Sequence, residues 1–457
     1  MTSTPRAALL VLLFVCLLAN ACDTEVCADR AASQIVKKVL DNGLTVLVKP
    51  EKGSGLVAIA ALVKVGAGQE SIQTAGIGNF VSRLLLASTR LKSAEQVASI
   101  ADEVGGNIGT GWDPDVTSIR AVTTSAGFDK AMSLIGESLT EANFESQWVE
   151  DQRKALLKEI RSGSDELFQK AYSELRQLLY EDNGYRRPSS ASERAISIAT
   201  PQDLQTFFSR YYAPNNMVLS IAGDVTVEHA IDRVEKAFAG VLARKLPIDR
   251  GVPDETLDRA KLRALETDST VACMLVGWLA PSASSPDYPA FAVAAAALGG
   301  GKGSLMFQEI RQKQGIGYEI GTTYPILRYQ GHLIAYLITD PYKNAPPGAR
   351  PSLLLEDARK SLISLVDRLK ESELSPEDLD RAKGYTIGTY ALSHQHLIDR
   401  AILLGRAEAI AGGYQFDTGY ADRIEAVTAA DVQRVARKYF TNYAAVVLLP
   451  RSRSEPG

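Results

Sequence analysis

Thr200-Pro201-Gln202-Asp203-Leu204 opens a stretch that continues to Tyr212, then Ala213-Pro214-Asn215-Asn216, then the apolar run Met217 to Ala222. A threonine ahead of a first-turn proline marks a helix start, since the hydroxyl accepts an orphan backbone N–H and proline has none to lose. The unit therefore reads as a capped helix, a turn and a buried strand. It returns at Thr428-Ala429-Ala430-Asp431-Val432-Gln433, whose helix reaches Arg437-Lys438-Tyr439-Phe440 before the apolar run Ala444 to Leu449. The copies lie far beyond the repeat length of a solenoid. Their separation predicts a duplicated domain.

Outward from these copies, strand and helix signals alternate. Gly43 separates Val39-Leu40 from Leu44-Thr45-Val46-Leu47-Val48 in a hairpin pattern, and Leu56 to Val65 reads as a buried strand. Helices are expected over Ala94 to Val104, capped by Ser93, over about Glu145 to Arg161, and over Leu167 to Tyr180. Arg244 to Asp258 is dense in Lys, Arg, Pro and Asp without apolar periodicity. This places a linker over 244–262, between domains at 33–243 and 263–450, with a frayed tail after Pro450. The length of 457 residues fits two domains better than one core.

A composition of 46% apolar and 23% charged residues suits a folded globular chain. The net charge of -4, with both signs interspersed, gives no long-range attraction for nucleic acid or an anionic membrane surface. The N-terminus differs. Arg6 precedes an unbroken apolar run from Ala7 to Ala19, followed by Asn20, Ala21 and Cys22. The run is short of the roughly 20 apolar residues that span a bilayer. With the small-residue pattern it predicts a signal peptide over 1–21 and export, to the periplasm in a bacterial cell. Two fates stay open for Cys22: acylation, which would anchor the chain to a membrane, or simple cleavage, after which it is free to pair with Cys27. Cys273 lies in an apolar strand-like run and reads as a small buried hydrophobe.

The segment Gly76-Ile77-Gly78-Asn79-Phe80-Val81-Ser82-Arg83-Leu84-Leu85-Leu86-Ala87-Ser88-Thr89, preceded by the hairpin and strand, resembles the first active-site helix of the pitrilysin and mitochondrial processing peptidase family. Val104-Gly105-Gly106-Asn107-Ile108, Tyr211-Tyr212-Ala213-Pro214-Asn215-Asn216-Met217 and Ile221-Ala222-Gly223-Asp224-Val225 resemble further segments of it. The resemblance covers about Val36 to Pro450. It implies an α+β fold of two homologous domains, each a mostly antiparallel sheet packed with helices, in a clamshell arrangement. Active members carry His-x-x-Glu-His on this helix, two zinc ligands one turn apart and a general base between them. Here Asn79 and Arg83 stand where the histidines belong, and Ser82 where the glutamate belongs. Asn is a weak neutral ligand, Ser cannot serve as the base and Arg is a permanent cation. Glu159, in Leu156-Leu157-Lys158-Glu159-Ile160, matches the family's third ligand. One carboxylate cannot hold a catalytic zinc, so no metal is expected on this chain. Arg83 is expected to pair with Glu159 as a buried cation in place of the metal.

In the second half, Leu298-Gly299-Gly300-Gly301-Lys302-Gly303-Ser304 leads to Arg311 and Tyr318. The glycines do not form a phosphate loop, because Gly303 follows the lysine where Ser or Thr should bind Mg²⁺. The segment is similar to the family's second signature, an arginine and a tyrosine seven residues apart that reach into the peptidase chamber. Carried over by resemblance, Arg311 and Tyr318 contact the substrate backbone and stabilise the oxygen that gains charge during hydrolysis. Leu305 departs from the arginine usual in this turn. The pair His394-Gln395-His396 falls in an expected helix, where residues two apart face different ways, so it does not suggest a metal site. No serine occupies a Gly-x-Ser-x-Gly elbow.

A lost zinc helix beside a retained arginine–tyrosine pair implies, by the same resemblance, the non-zinc subunit of a heterodimer. Its expected partners are a zinc-bearing homologous subunit and an extended peptide that adds a strand to a sheet edge. An inert scaffold with this fold is the alternative.

Overall fold

The computed structural model describes residues 34–71, 73–162, 167–187, 192–247, 251–342 and 351–451. The signal segment, Cys22 and Cys27 lie outside them. The first half contains strands β1 (Val36–Val39), β2 (Thr45–Pro50) and β3 (Leu56–Val63), then helices α1 (Ile77–Leu84) and α2 (Ala94–Glu103). Strands β4 (Ile108–Trp112) and β5 (Thr117–Thr124) follow, with helices α3 (Phe128–Thr140), α4 (Ser146–Ser162), α5 (Leu167–Leu179), α6 (Glu193–Ile198) and α7 (Pro201–Tyr211). Strand β6 (Met217–Gly223) and helix α8 (Val227–Ala237) complete it.

The second half runs through β7 (Lys261–Thr267), β8 (Ala272–Ala280), α9 (Tyr288–Gly299), a π-helix (Phe307–Lys313), β9 (Glu319–Thr323) and β10 (Gly331–Thr339). Helices α10 (Pro351–Glu371), α11 (Pro376–Leu392), α12 (Leu397–Ile410), α13 (Gln415–Thr418), α14 (Tyr420–Glu425) and α15 (Ala429–Tyr439) precede the final strand β11 (Ala444–Pro450).

The duplication is visible in the strand orders. The first sheet runs β1-β2-β6-β3-β5-β4 and the second β7-β11-β8-β10-β9. In each, one parallel pair, β2 with β6 or β7 with β11, joins an otherwise antiparallel sheet. The first sheet adds only the β1 hairpin. The repeated helix starts are alike in atomic detail: the Thr200 hydroxyl accepts from Asp203 N and the Thr428 hydroxyl from Asp431 N, and each aspartate accepts from its threonine in return.

Each sheet buries both faces. On one face of the first sheet, Val46, Ile59 and Ala61 pack against Phe80, Phe128 and Phe208 of its own helices. Its other face is covered by the second half, with Ala401 of α12 against Ala58, Ala60 and Ala222, and Leu404 against Leu47 and Leu62. Gly405 permits this approach, since a Cβ there would sit 2.2 Å from a Leu62 methyl. The second sheet is treated reciprocally. Trp278, Phe291, Leu333 and Phe440 form its own core, while Leu175 and Leu179 of α5, from the first half, cover Cys273, Leu275 and Val446. Double-sided burial explains why β3 and β8 read as continuous apolar runs rather than alternating ones. Cys273 is fully buried, and burial pushes its thiol up to about 12.

One sequence expectation needs correction. His394 and His396 do not share a helix: α11 ends at Leu392 and α12 starts at Leu397, with the histidines in the break. The His394 imidazole joins the Tyr390 carbonyl and the Asp417 carboxylate, each at 2.8 Å, and these acceptors compensate the lost helical bonds. Arg311 lies on the π-helix.

Candidate functional site

Helix α1 starts at Gly76, whose φ of 103° favours glycine and which offers no side chain to cap the helix. The cap comes from Glu70, whose carboxylate accepts the N–H groups of Gly76 and Gly78, each at 2.7 Å. An anion at a helix N-terminus satisfies orphan donors and meets the positive end of the dipole. Glu70 is nevertheless buried, and burial pushes it up to about 7 against the opposing pull of those N–H groups and of Arg187. At Gly78 a Cβ would lie 2.0 Å from the Trp112 ring. Only glycine lets the helix seat on this last residue of the edge strand β4.

One turn into α1, the Asn79 and Ser82 side chains are buried. Asn79 Oδ1 accepts from Arg83 Nε at 3.2 Å, and the Ser82 hydroxyl donates to the Asn79 carbonyl at 3.0 Å. Arg83 Nη2 reaches α4 and donates to both carboxylate oxygens of Glu159, at 2.9 and 2.7 Å. The structure thus joins Asn79, Arg83 and Glu159 in one hydrogen-bonded chain, with Ser82 turned back on its own helix. The expected Arg83–Glu159 pair is present, but not as a buried one. The Arg83 side chain is 30% exposed and that of Glu159 58%, because α1 and α4 meet here at the surface of the first half.

These residues do not fit zinc. The space between Asn79 and Glu159 is filled by a guanidinium, which has no lone pair to give and repels a divalent cation. Among the described residues no group of three His, Cys, Asp or Glu side chains could hold a metal ion.

Arg311 lies on the π-helix and Tyr318 directly before β9, both in the second half. The Arg311 guanidinium lies 5.7 Å from the centre of the Phe307 ring, within cation–π range on its own π-helix. The chain then reverses through Gly315 and Gly317, with φ of 70° and 96°, and enters β9. The Tyr318 N–H donates to the Ile338 carbonyl at 2.7 Å, and its side chain is 45% exposed. The backbone is therefore pinned while the residue stays partly exposed.

The sequence offered little sign of Glu70, a lone acid in a loop, or of His332. The latter is fully buried in the second sheet between the hydroxyls of Tyr172 and Tyr180, each 2.8 Å from one ring nitrogen. Burial first, and then Arg176, hold its imidazole down to about 3. Two tyrosines spaced eight apart, Tyr172 on α5 and Tyr180 just past its end, were the available signal.

Comparison with known proteins identifies the family. The family model described as insulinase, peptidase family M16, matches residues 45–190, and that of the peptidase M16 inactive domain matches residues 199–385. An uncharacterised zinc protease of Mycobacterium tuberculosis is 26% identical over 427 residues, 93% of this chain and 95% of that protein. An uncharacterised zinc protease of Bacillus subtilis is 21% identical over 92% of this chain and 100% of its own length. The solved structure of a protease from Helicobacter pylori superposes with a TM-score of 0.82 at 22% identity, covering 92% of this chain and 100% of that one. A peptidase M16 inactive domain from Pseudomonas fluorescens gives 0.80 at 18% identity over 93% and 99%. With these two models matching residues 45–190 and 199–385, the chain belongs to the M16, or pitrilysin, peptidase family.

Proposed function

We propose that this chain is the zinc-free subunit of an exported heterodimeric M16 metallopeptidase, and that it supplies Arg311 and Tyr318 in trans to an extended peptide. The observation that carries this reading is Arg83, fixed between Asn79 and Glu159. Autonomous metal chemistry is gone from a fold that otherwise spans nearly the full length of its relatives. The implied partner is a homologous subunit with an intact His-x-x-Glu-His helix, which would carry the zinc. Arg311 offers fixed donors and a constant positive charge, and Tyr318 one phenolic donor, to a carbonyl oxygen as it gains charge. Bound peptide would extend a sheet edge by backbone hydrogen bonds. The leader, with Cys22 either acylated or near a cleavage point, would place the complex in the periplasm, soluble or lipid-anchored.

The test is co-purification from the native source, then reconstitution with any zinc-bearing homologue recovered. The pair should cleave unfolded peptides where this chain alone does not. A homologue equally active with and without this chain would sink the proposal. The scaffold reading would then hold, and one observation favours it: the Arg311 guanidinium lies 5.7 Å from the ring of its own Phe307.

A further inference from the structure

On the second sheet, beginning at the residue after Tyr318, a cavity of about 410 Å³ lies between α5 of the first half and one face of β9 and β10. Its volume is in the range of small-ligand sites. Strand alternation decides the lining: His332, Ile334, Tyr336 and Ile338 share one face of β10, and Glu319 and Thr323 the same face of β9. Gly321, between the last two, leaves room for the phenol of Tyr336, whose oxygen would be 2.8 Å from a Cβ there. Phe168 and Tyr172 of α5 form the opposite wall.

The two ends of this trough differ in charge. At the His332 end, Arg176 is 6% exposed, makes no ion pair or hydrogen bond to a described residue, and stacks on the Tyr172 ring at 4.6 Å. His332 is held neutral there, its ring nitrogens both engaged by tyrosine hydroxyls. At the other end, where β9 pairs Glu319 with Ile338, the Glu319 carboxylate is exposed and has no described hydrogen bond or ion pair. Tyr336 lies beside it, and burial first, then the nearby Glu319 carboxylate, raise its phenol. A carboxylate next to an aromatic face, opening onto an apolar trough, has the parts of a site for a cation on a hydrocarbon stem.

We propose that this trough binds a primary ammonium or guanidinium carried on an apolar or aromatic stem, with the cation at Glu319 and Tyr336 and the stem along Ile334, Ile338 and Phe168. The buried Arg176 charge fixes the polarity, since it disfavours a cation at the His332 end. Such a group comes from two sources, a basic side chain within a peptide or a free amine. The site uses neither the Arg311 nor the Tyr318 side chain, although Glu319 directly follows Tyr318 in the chain.

The probe is phenethylamine, titrated calorimetrically into the full-length protein, with 2-phenylethanol as the neutral counterpart. Phenethylamine should bind and the alcohol should bind at least about tenfold more weakly, as expected for loss of a charge-assisted contact. Glu319→Gln, an exposed edge-strand change that leaves the fold intact by circular dichroism, should weaken the amine about tenfold to a hundredfold and leave the alcohol unchanged. Acetylated, amidated peptides with a central lysine or norleucine separate the sources. Binding of the lysine peptide assigns the site to a peptide side chain, and binding of phenethylamine alone assigns it to free amines. Equal affinity for amine and alcohol, no binding of either, or an unaffected Glu319→Gln variant would overturn the proposal.

Discussion

Arg83 Nη2 stands 2.7 Å from one carboxylate oxygen of Glu159 and 2.9 Å from the other, so a single nitrogen bridges helices α1 and α4. Both side chains are partly in water, where screening reduces such a pair to about 0–1 kcal/mol. Arg83→Met and Glu159→Gln should each shift the urea unfolding free energy by no more than about 1 kcal/mol. A loss of several kcal/mol from Glu159→Gln alone would mean that the cation is effectively buried.

The same geometry makes the metal site restorable. Asn79→His, Ser82→Glu and Arg83→His together would place two imidazoles one helical turn apart, facing Glu159. Elemental analysis should find about one zinc per chain in the triple variant and none in the wild type. Adding Glu159→Gln should remove it. A triple variant that folds but stays metal-free would show that Glu159 is not placed as a third ligand.

Glu70 sets a pH dependence with a definite sign. Its folded pKa of about 7 lies above its ordinary 4.5. The native state therefore holds the proton more tightly than the unfolded chain. The stability Glu70 contributes is whole below about 4.5 and is lost as pH rises through about 7. The unfolding free energy of the wild type minus that of Glu70→Gln should fall between pH 4.5 and 8. His332 acts oppositely, stabilising above its ordinary value and losing that as pH falls toward 3. It is common to both proteins and cancels in the difference. A flat difference would place Glu70 in solvent.

Were the heterodimer reading correct, Arg311→Ala and Tyr318→Phe would each lower turnover of the reconstituted pair by about 10²–10³, the usual cost of one oxyanion donor. Assembly, followed by sedimentation, should survive. Unchanged turnover in the double variant would assign both residues a structural role.

Gly405 offers a test of how the halves are joined. A larger residue there meets a Leu62 methyl and, at 3.1 Å, the Ser220 Cβ. Gly405→Val should cost about 1–3 kcal/mol by overpacking. Fluorescence of Trp112 in the first sheet and Trp278 in the second should report one shared urea midpoint. Separate midpoints would show independent halves.

Local chemistry made much of this legible from sequence. The cap at Thr200 and its copy at Thr428 depend only on residues three apart, and the Asn79–Ser82–Arg83 substitutions follow from one helical face. What escaped depends on distance or on the absence of a breaker. No proline or glycine separates Leu392 from Leu397, so nothing marked the break at His394. Glu70 caps a helix from a loop, by contacts that leave no period. The exposure of Glu159 follows from where α4 meets α1, a tertiary fact. The exchange of α5 and α12 between the sheets is equally invisible to any local pattern, because either helix would look the same packed on its own half.

That exchange bears on how the chain is made. Strand β6 finishes the first sheet early, but the helix that covers its second face, α12, is synthesised only after most of the second half. Until then Ala58, Ala60, Leu62 and Ala222 face water on an otherwise complete sheet. A nascent first half is thus a sticky intermediate, exposed to aggregation for as long as translation takes to deliver the rest. A chain held unfolded until it is complete would avoid that exposure, and a truncation after residue 243 should precipitate rather than yield a free-standing domain.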